Sequence, residues 1–339
     1  MSHLTKSKNL FTACERNSIE DVKDLIKKGA NINDRNSLNQ TPLHFACKQN
    51  NALEIIKYLI AKKADVNVKT KNNQTPLHFA CQQNSFESVG YLVEKGAEVN
   101  VKTKSKQTPL HFACQQNNSF ETVKYLVEKG AEINVKTKTN QTPLHFACQH
   151  NNSFETVKYL VEKGAEINVK TKTNQTPLHF ACQQNNSFET VKYLVEKGEE
   201  INVLNKNNQT PLHFACQQNS IETVKYLVEK KANVNFETNK EETALIFACQ
   251  QNSYEIVKTL IEKKADVNVE SINEETPLIF ACQQKSYEIV KILVENGANV
   301  SVNDKEEYKE IPLVIACQKN SVEIVRILVE HGADANNSC

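Results

Sequence analysis

The heptapeptide Thr-Pro-Leu-His-Phe-Ala-Cys occurs six times, ending at Cys47, Cys81, Cys114, Cys148, Cys182 and Cys216, with successive copies 33 or 34 residues apart. A fixed period of that size marks a repeat array, in which each unit buries its apolar face only by stacking on its neighbours. Degenerate copies carry the register outward, from Leu10 to Cys14 on one side and through Thr243 to Cys249, Thr276 to Cys282 and Ile311 to Cys317 on the other. Ten units then account for the 339 residues. The register runs from about Leu10 to Ala335 with no Pro/Gly/Ser-rich linker. The chain therefore reads as one elongated domain over 1–339, with a capping repeat over 1–36, central repeats over 37–309 and a terminal repeat over 310–339.

The unit from Thr108 to Gln141 gives the local logic. Thr108 is a good N-cap and Pro109 suits the first helical position, where a missing N–H costs nothing. Leu110, Ala113 and Cys114 share a face at helical spacing, and the first helix is expected to end near Gln116. Asn118-Ser-Phe-Glu121 resembles a capping box that opens a second helix. There Phe120, Val123, Leu126 and Val127 form the apolar stripe, and Glu121, Lys124 and Glu128 face water. Gly130 stands where a helix end favours a left-handed residue. The stretch from Glu132 to Gln141 alternates briefly and then turns polar, as a hairpin-like connection does. Each unit is helix, turn, helix, extended loop.

Lys and Arg number 41 against 40 for Asp and Glu, so no net field recruits nucleic acid or an anionic membrane. No apolar run approaches the ~20 residues that span a bilayer, and the N-terminus is polar where a signal peptide is apolar. An intracellular protein is expected, in the cytoplasm or the nucleus, without membrane insertion. Ten of the eleven cysteines recur at one place per repeat, too far apart across stacked helices for disulfides, and no Cys-x-x-Cys pair exists. They read as small buried packing groups.

Thr-Pro-Leu-His, the helix pair and the following Gly-Ala-Glu/Asp-Val/Ile-Asn together resemble the ankyrin repeat, over almost the whole chain. The resemblance implies an all-α solenoid of about ten stacked helix-turn-helix units with projecting β-hairpin loops. It also implies a concave side that binds other proteins, with no cofactor and no metal. Before Thr-Pro, where the family favours Gly, this chain has Asn39, Asn73, Asn140, Asn174 and Asn208, or Lys106, Glu241, Glu274 and Lys309. At the end of the second helix Lys63, Lys231 and Lys264 replace Gly. Hairpins in the C-terminal third are therefore expected to be the softer ones.

The motif histidines His44, His78, His111, His145, His179 and His213 lie one repeat apart, with no second ligand at metal spacing. The resemblance assigns them hydrogen bonds to the Thr and to neighbouring backbone. Thr108–Gln141 and Thr142–Gln175 differ at one position, Gln116 against His150, so a catalytic constellation in one copy would recur in the next. An enzyme is not expected. By the same resemblance the residue after His faces the groove, and here it is Phe45, Phe79, Phe112, Phe146, Phe180, Phe214, Phe247 and Phe280. Four residues on stand amides and one imidazole, with Gln83, Gln116, His150 and Gln184 as the central set. Two readings stay open for the Phe row: rungs that bind a partner, or rings that lie against the next repeat and stabilise the stack.

The hairpin edge divides by sign. Lys71, Lys104, Lys138 and Lys172 represent the basic tips, and Glu242 and Glu275 the acidic ones, which continue to Glu306, Glu307 and Glu310. Such an edge can orient a partner. The context Leu126-x5-Glu132-Ile-Asn134 resembles the asparagine site hydroxylated in ankyrin proteins, although turn chemistry accounts for the Asn equally well. The first unit has a polar outer face, whereas the last keeps its apolar residues, which suggests self-association through the C-terminal face. The function expected is non-catalytic binding of a protein or peptide through the concave groove and hairpin edge. The alternative is the recognition arm of a larger multidomain enzyme or channel.

Overall fold

The computed structural model describes residues 9–150, 154–185, 187–300 and 312–334. Lys309, Ile311, Cys339 and the acidic run Glu306, Glu307 and Glu310 lie outside them. Contacts divide the chain into two compact units, 1–169 and 170–339. The first holds α1 (Leu10–Glu15), α2 (Ile19–Lys27), α3 (Pro42–Cys47), α4 (Leu53–Ala61), α5 (Pro76–Gln82), α6 (Phe86–Glu94), α7 (Pro109–Cys114), α8 (Phe120–Glu128), α9 (Pro143–Gln149) and α10 (Phe154–Glu162). The second holds α11 (Pro177–Cys182), α12 (Phe188–Glu196), α13 (Pro211–Gln217), α14 (Ile221–Glu229), α15 (Ala244–Gln250), α16 (Tyr254–Glu262), α17 (Pro277–Gln283), α18 (Tyr287–Glu295), α19 (Pro312–Gln318) and α20 (Val322–Glu330).

Within each unit a short helix pairs with a nine-residue one, first helices pack on first helices, as α5 on α7 or α13 on α15, and second on second, as α6 on α8. The core follows the sequence stripe. In α7 Leu110, Ala113 and Cys114 are fully buried, and in α8 so are Val123 and Leu126. The first helix begins as its sequence requires, with Thr108 in extended conformation as N-cap and Pro109 at N1, and it ends at Cys114, two residues short of the expected Gln116.

The second helix begins differently from the expected Asn118/Glu121 capping box. Asn118 is left-handed, with φ +56°, and Ser119 is the N-cap, without a side-chain cap bond. Folding α8 back onto α7 needs one left-handed residue in a short turn, and Asn tolerates that conformation better than most.

The connections are tight turns, and no strand forms among the described residues. Thr103 N–H donates to Gln107 O at 2.8 Å and Lys106 N–H to Thr103 O at 2.8 Å, which is too short a pairing for a ladder. Within each unit, successive turns are joined by a backbone bond, as in Lys104 N–H to Asn72 O, Lys138 N–H to Ser105 O and Ile272 N–H to Lys240 O. The left-handed positions are where the missing glycines pointed, with φ between +55° and +69° at Asn73, Asn208, Lys106, Glu241, Glu274, Lys63, Lys231 and Lys264.

Nine cysteines from Cys14 to Cys282 are buried, and none of the nine is in a disulfide. Burial pushes the thiols of Cys14, Cys47, Cys81, Cys114, Cys182, Cys216, Cys249 and Cys282 up, to about 12 at Cys14 and Cys282, and this removes these eight as nucleophiles near neutral pH. Cys317 departs from the series by being exposed. No helix of the described residues is long and apolar enough to cross a membrane.

Candidate protein-binding face

The motif histidine is a joint between repeats. Thr41 N–H donates to His44 Nδ1 at 3.0 Å and the Thr41 hydroxyl lies 2.9 Å from the same nitrogen. Because a backbone N–H can only donate, Nδ1 is the acceptor and the ring proton sits on Nε2. Nε2 then faces the following repeat, 3.3 Å from Gln74 O; the equivalents are 3.1 Å from His145 to Val169 O, 3.2 Å from His179 to Gln209 O and 2.9 Å from His213 to Phe236 O. His78 and His111 turn toward the same carbonyl positions without reaching hydrogen-bond geometry. Burial holds His44, His78, His111, His179 and His213 neutral, down to about 4, against the opposing pull of the backbone carbonyls.

The phenylalanine row is far less open than a ladder of exposed rungs. Phe79, Phe112, Phe146, Phe180, Phe214, Phe247 and Phe280 are only 5–8% exposed, and Phe45 is half-buried. The rings of Phe79, Phe112, Phe146, Phe214 and Phe247 meet the imidazole of the preceding repeat edge to face, as in His44–Phe79 at 5.6 Å, His78–Phe112 at 5.4 Å, His111–Phe146 at 5.6 Å and His213–Phe247 at 5.9 Å between centroids, while Phe45 meets Phe11 in the same way at 5.4 Å. Such pairs contribute about 0.5–1.5 kcal/mol beyond the area they bury. The stacking duty is thus visible in the geometry, and what the rings leave to solvent is a margin.

Gln83, Gln116, His150 and Gln184 are half-buried beside that margin, and burial lowers the His150 pKa. The tips Lys71, Lys104, Lys138 and Lys172 are exposed, while Glu242 and Glu275, directly before Thr243 and Thr276, are half-buried. In the second unit a cleft of about 450 Å³ forms where first helices meet hairpin turns. Gln217, Phe247 and Gln250 line it from α13 and α15, and Thr238, Lys240 and Glu242 line it from the turn. Between Phe45 and Phe79 in the first unit the corresponding place is filled from within. Lys48 Nζ lies 4.8 Å from the centroid of Phe45 and 4.9 Å from that of Phe79.

Three features escaped sequence reasoning. Asn67 donates to Gly96 O at 2.9 Å and accepts from Glu98 N–H at 2.9 Å. Asn100 with Gly130 and Glu132, and Asn134 with Gly164 and Glu166, repeat the bridge, so the asparagine of the hydroxylation-like context spans two repeats with both ends of its amide. Its period was the available signal. On the second helices, lysines lie over tyrosines, as Lys95 over Tyr91 and Lys129 over Tyr125, both at 5.4 Å, and Phe86 meets Tyr125 edge-on at 5.9 Å. Finally, Glu199 stands where other repeats have Ala and is 4% exposed. Its Oε1 accepts from Leu178 N–H at 2.7 Å, its Oε2 is buried without a partner, and burial pushes its carboxyl up to about 8.

A family model described as ankyrin repeats, in three copies, matches residues 10–103, 100–171, 178–271 and 264–339. No curated protein matches the chain. Ankyrin repeats generally serve as protein interaction modules, and with the helix pairs, the Thr-His joints and a family match that covers nearly every residue, this chain belongs to the ankyrin repeat family.

Proposed function

We propose that the chain is a non-catalytic scaffold that binds a protein or peptide along the face where first helices meet hairpin turns. The observation that carries this reading is the cleft of about 450 Å³ on that face, which offers amides, a carboxylate and an aromatic margin to a ligand. The buried, proton-holding thiols support a binding role over a nucleophilic one. Nine buried cysteines outside any disulfide support a reducing compartment, the cytoplasm or the nucleus. Exposed Val322 and Val329, 64% and 44% open on α20, support self-contact there, which sedimentation of Val322→Lys/Val329→Lys against the parent chain would test.

The test of the main reading separates binding from stacking. Gln83→Ala/Gln116→Ala combined with Lys71→Glu/Lys104→Glu alters two half-buried amides and two exposed tips, none of them in the core, and is expected to abolish recovery of a partner from native lysate while leaving Tm unchanged. Phe79→Ala/Phe112→Ala is expected to lower Tm strongly, because truncating a buried ring costs about 3–5 kcal/mol. Recovery that survives the surface variant at unchanged Tm would defeat the reading.

A further inference from the structure

Lys48 stands one residue after its motif cysteine, where Gln217 and Gln250 stand in their repeats. Its ammonium sits between the rings of two consecutive repeats, within 5 Å of both centroids, inside the range at which a ring face attracts a cation. The gap between Phe45 and Phe79 is therefore shaped for a cation, and there the chain supplies one itself, whereas Gln82, Gln115 and Gln149 hold the same position in the later repeats of the first unit.

In the second unit the same register places Gln217 between Phe214 and Phe247, with no lysine of the helix to fill the gap. There the cleft of about 450 Å³ opens. Its rim is also changed in charge. Glu242 occupies the position before the N-cap that is Gln74 in the repeat Lys48 contacts, so a carboxylate replaces a neutral amide beside the aromatic ring. Lys240 lines the same cleft and opposes Glu242. Beyond the cleft the balance is acidic: the turns over 234–243 and 267–276 carry Glu237, Glu241, Glu242, Glu270, Glu274 and Glu275 against Lys240 alone.

We propose that the cleft over Phe247 receives a lysine or arginine side chain of a partner protein, whose flanking residues are basic and run along the acidic turns. This rests on the protein-binding reading above and names the partner's chemistry. The cation takes the place that Lys48 takes over Phe45 and Phe79, and Glu242 adds a counter-charge that the first unit lacks.

The experiment uses the full chain and a capped hexapeptide of alternating Lys and Ser, with the same peptide carrying Glu for Lys as control. Binding is followed by NMR through the side-chain amide of Gln250 and the backbone amide of Phe247. The Lys peptide is expected to shift both signals, and the Glu peptide neither. Gln217→Lys, which installs the lysine that the Lys48 repeat already accommodates, is expected to weaken binding about tenfold by filling the gap. Glu242→Gln, which restores the amide of the upstream repeats, is expected to weaken it about fivefold, and Lys240→Ala to strengthen it. Unchanged affinity in Gln217→Lys and Glu242→Gln, or no shift with the wild-type chain, overturns the cleft assignment. A protein partner that binds wild type and Gln217→Lys equally would leave the scaffold reading standing and remove this one alone.

Discussion

Repeats that carry histidine in the motif and those that carry isoleucine build the same joint with opposite chemistry. At Thr75 the backbone N–H donates to His78 Nδ1 at 3.0 Å and the hydroxyl lies 2.9 Å from that nitrogen, so one ring satisfies the N-cap of α5. At Thr243 the position is Ile246, fully buried, and the Thr243 hydroxyl is left buried without a partner. At Thr276, above Ile279, the hydroxyl falls back on Ile279 N–H at 3.3 Å. The histidine joint is directional and depends on protonation; the isoleucine joint trades that for apolar burial. The turns differ in parallel, basic around Lys71, Lys104 and Lys138 and acidic around Glu242 and Glu275. One motif residue thus separates a pH-sensitive part of the chain from an insensitive one.

Acid gives the largest expected difference. Burial lowers five histidines from 6.5 to about 4, so the fold favours their neutral form. A depressed base contributes stability that is complete above 6.5 and is lost as pH falls toward 4. Each histidine costs about 1.4 kcal/mol per pH unit in that window, or about 2 kcal/mol at pH 5. Hydrogen exchange at pH 5 against pH 7, corrected for the intrinsic rate, should strip protection from α3, α5 and α7 while sparing α15 and α17. Equal losses in both sets would break the comparison. His78→Ile should carry α5 from the first behaviour toward the second.

Glu199 runs in the opposite direction and is the next largest effect. Its carboxyl is raised from 4.5 to about 8 by burial, and the opposing pull of the Thr176 hydroxyl and the Leu178 N–H recovers only part of that. An acid with a raised folded pKa is most favourable below 4.5 and becomes more costly as pH rises to 8. Glu199→Ala, which restores the residue of Ala165 and Ala232, is expected to stabilise the chain by up to about 3 kcal/mol at pH 7 and by little at pH 5. Denaturant midpoints of both proteins at pH 5, 7 and 8 measure it, and a gap that does not widen with pH would show that the carboxyl is solvated.

Much of this was legible in the sequence because a repeat array multiplies each signal. Thr108 and Pro109 announce a helix start, and the replacement of glycine by Asn73, Lys106 and Glu241 announces left-handed backbone. What stayed hidden depends on contacts about thirty residues away. Asn67 reads as a turn former until its amide is seen to bridge Gly96 and Glu98. Phe112 reads equally well as groove or core, because composition does not say which way a ring edge points, and only its approach to His78 decides. Asn118 offers both a cap and a left-handed turn; the turn won because the chain must reverse there. Glu199 was visible as one departure from Gly-Ala-Glu, but its burial was not, since glutamate at a helix end is ordinarily solvated. The filled gap at Lys48 and the open one at Gln217 are a single substitution apart, and its meaning appears only once both rings are in place.

The smallest expected difference concerns the turns themselves. Glu241 and Glu274 hold φ values of +59° and +62° with a full side chain, whereas Asn73 and Asn140 meet the same demand at +59° and +61° with a residue that tolerates it. Glu241→Gly is therefore expected to stabilise the chain by about 0.5–1 kcal/mol, and Asn73→Gly by less, because part of the relief is offset by the greater freedom of unfolded glycine. Lys106→Gly, at +64°, removes a charge of the opposite sign and separates backbone strain from hairpin electrostatics. If strain governs, Glu241→Gly and Lys106→Gly gain alike, at low and high salt. Amides around Glu241 and Glu274 should also exchange faster than those around Asn73 and Asn140 at pH 7, where the histidine joints are intact. The reverse order would mean that the acidic turns are stiffened by contacts outweighing their backbone strain, and the division into firm and soft repeats would then rest on the histidine joint alone.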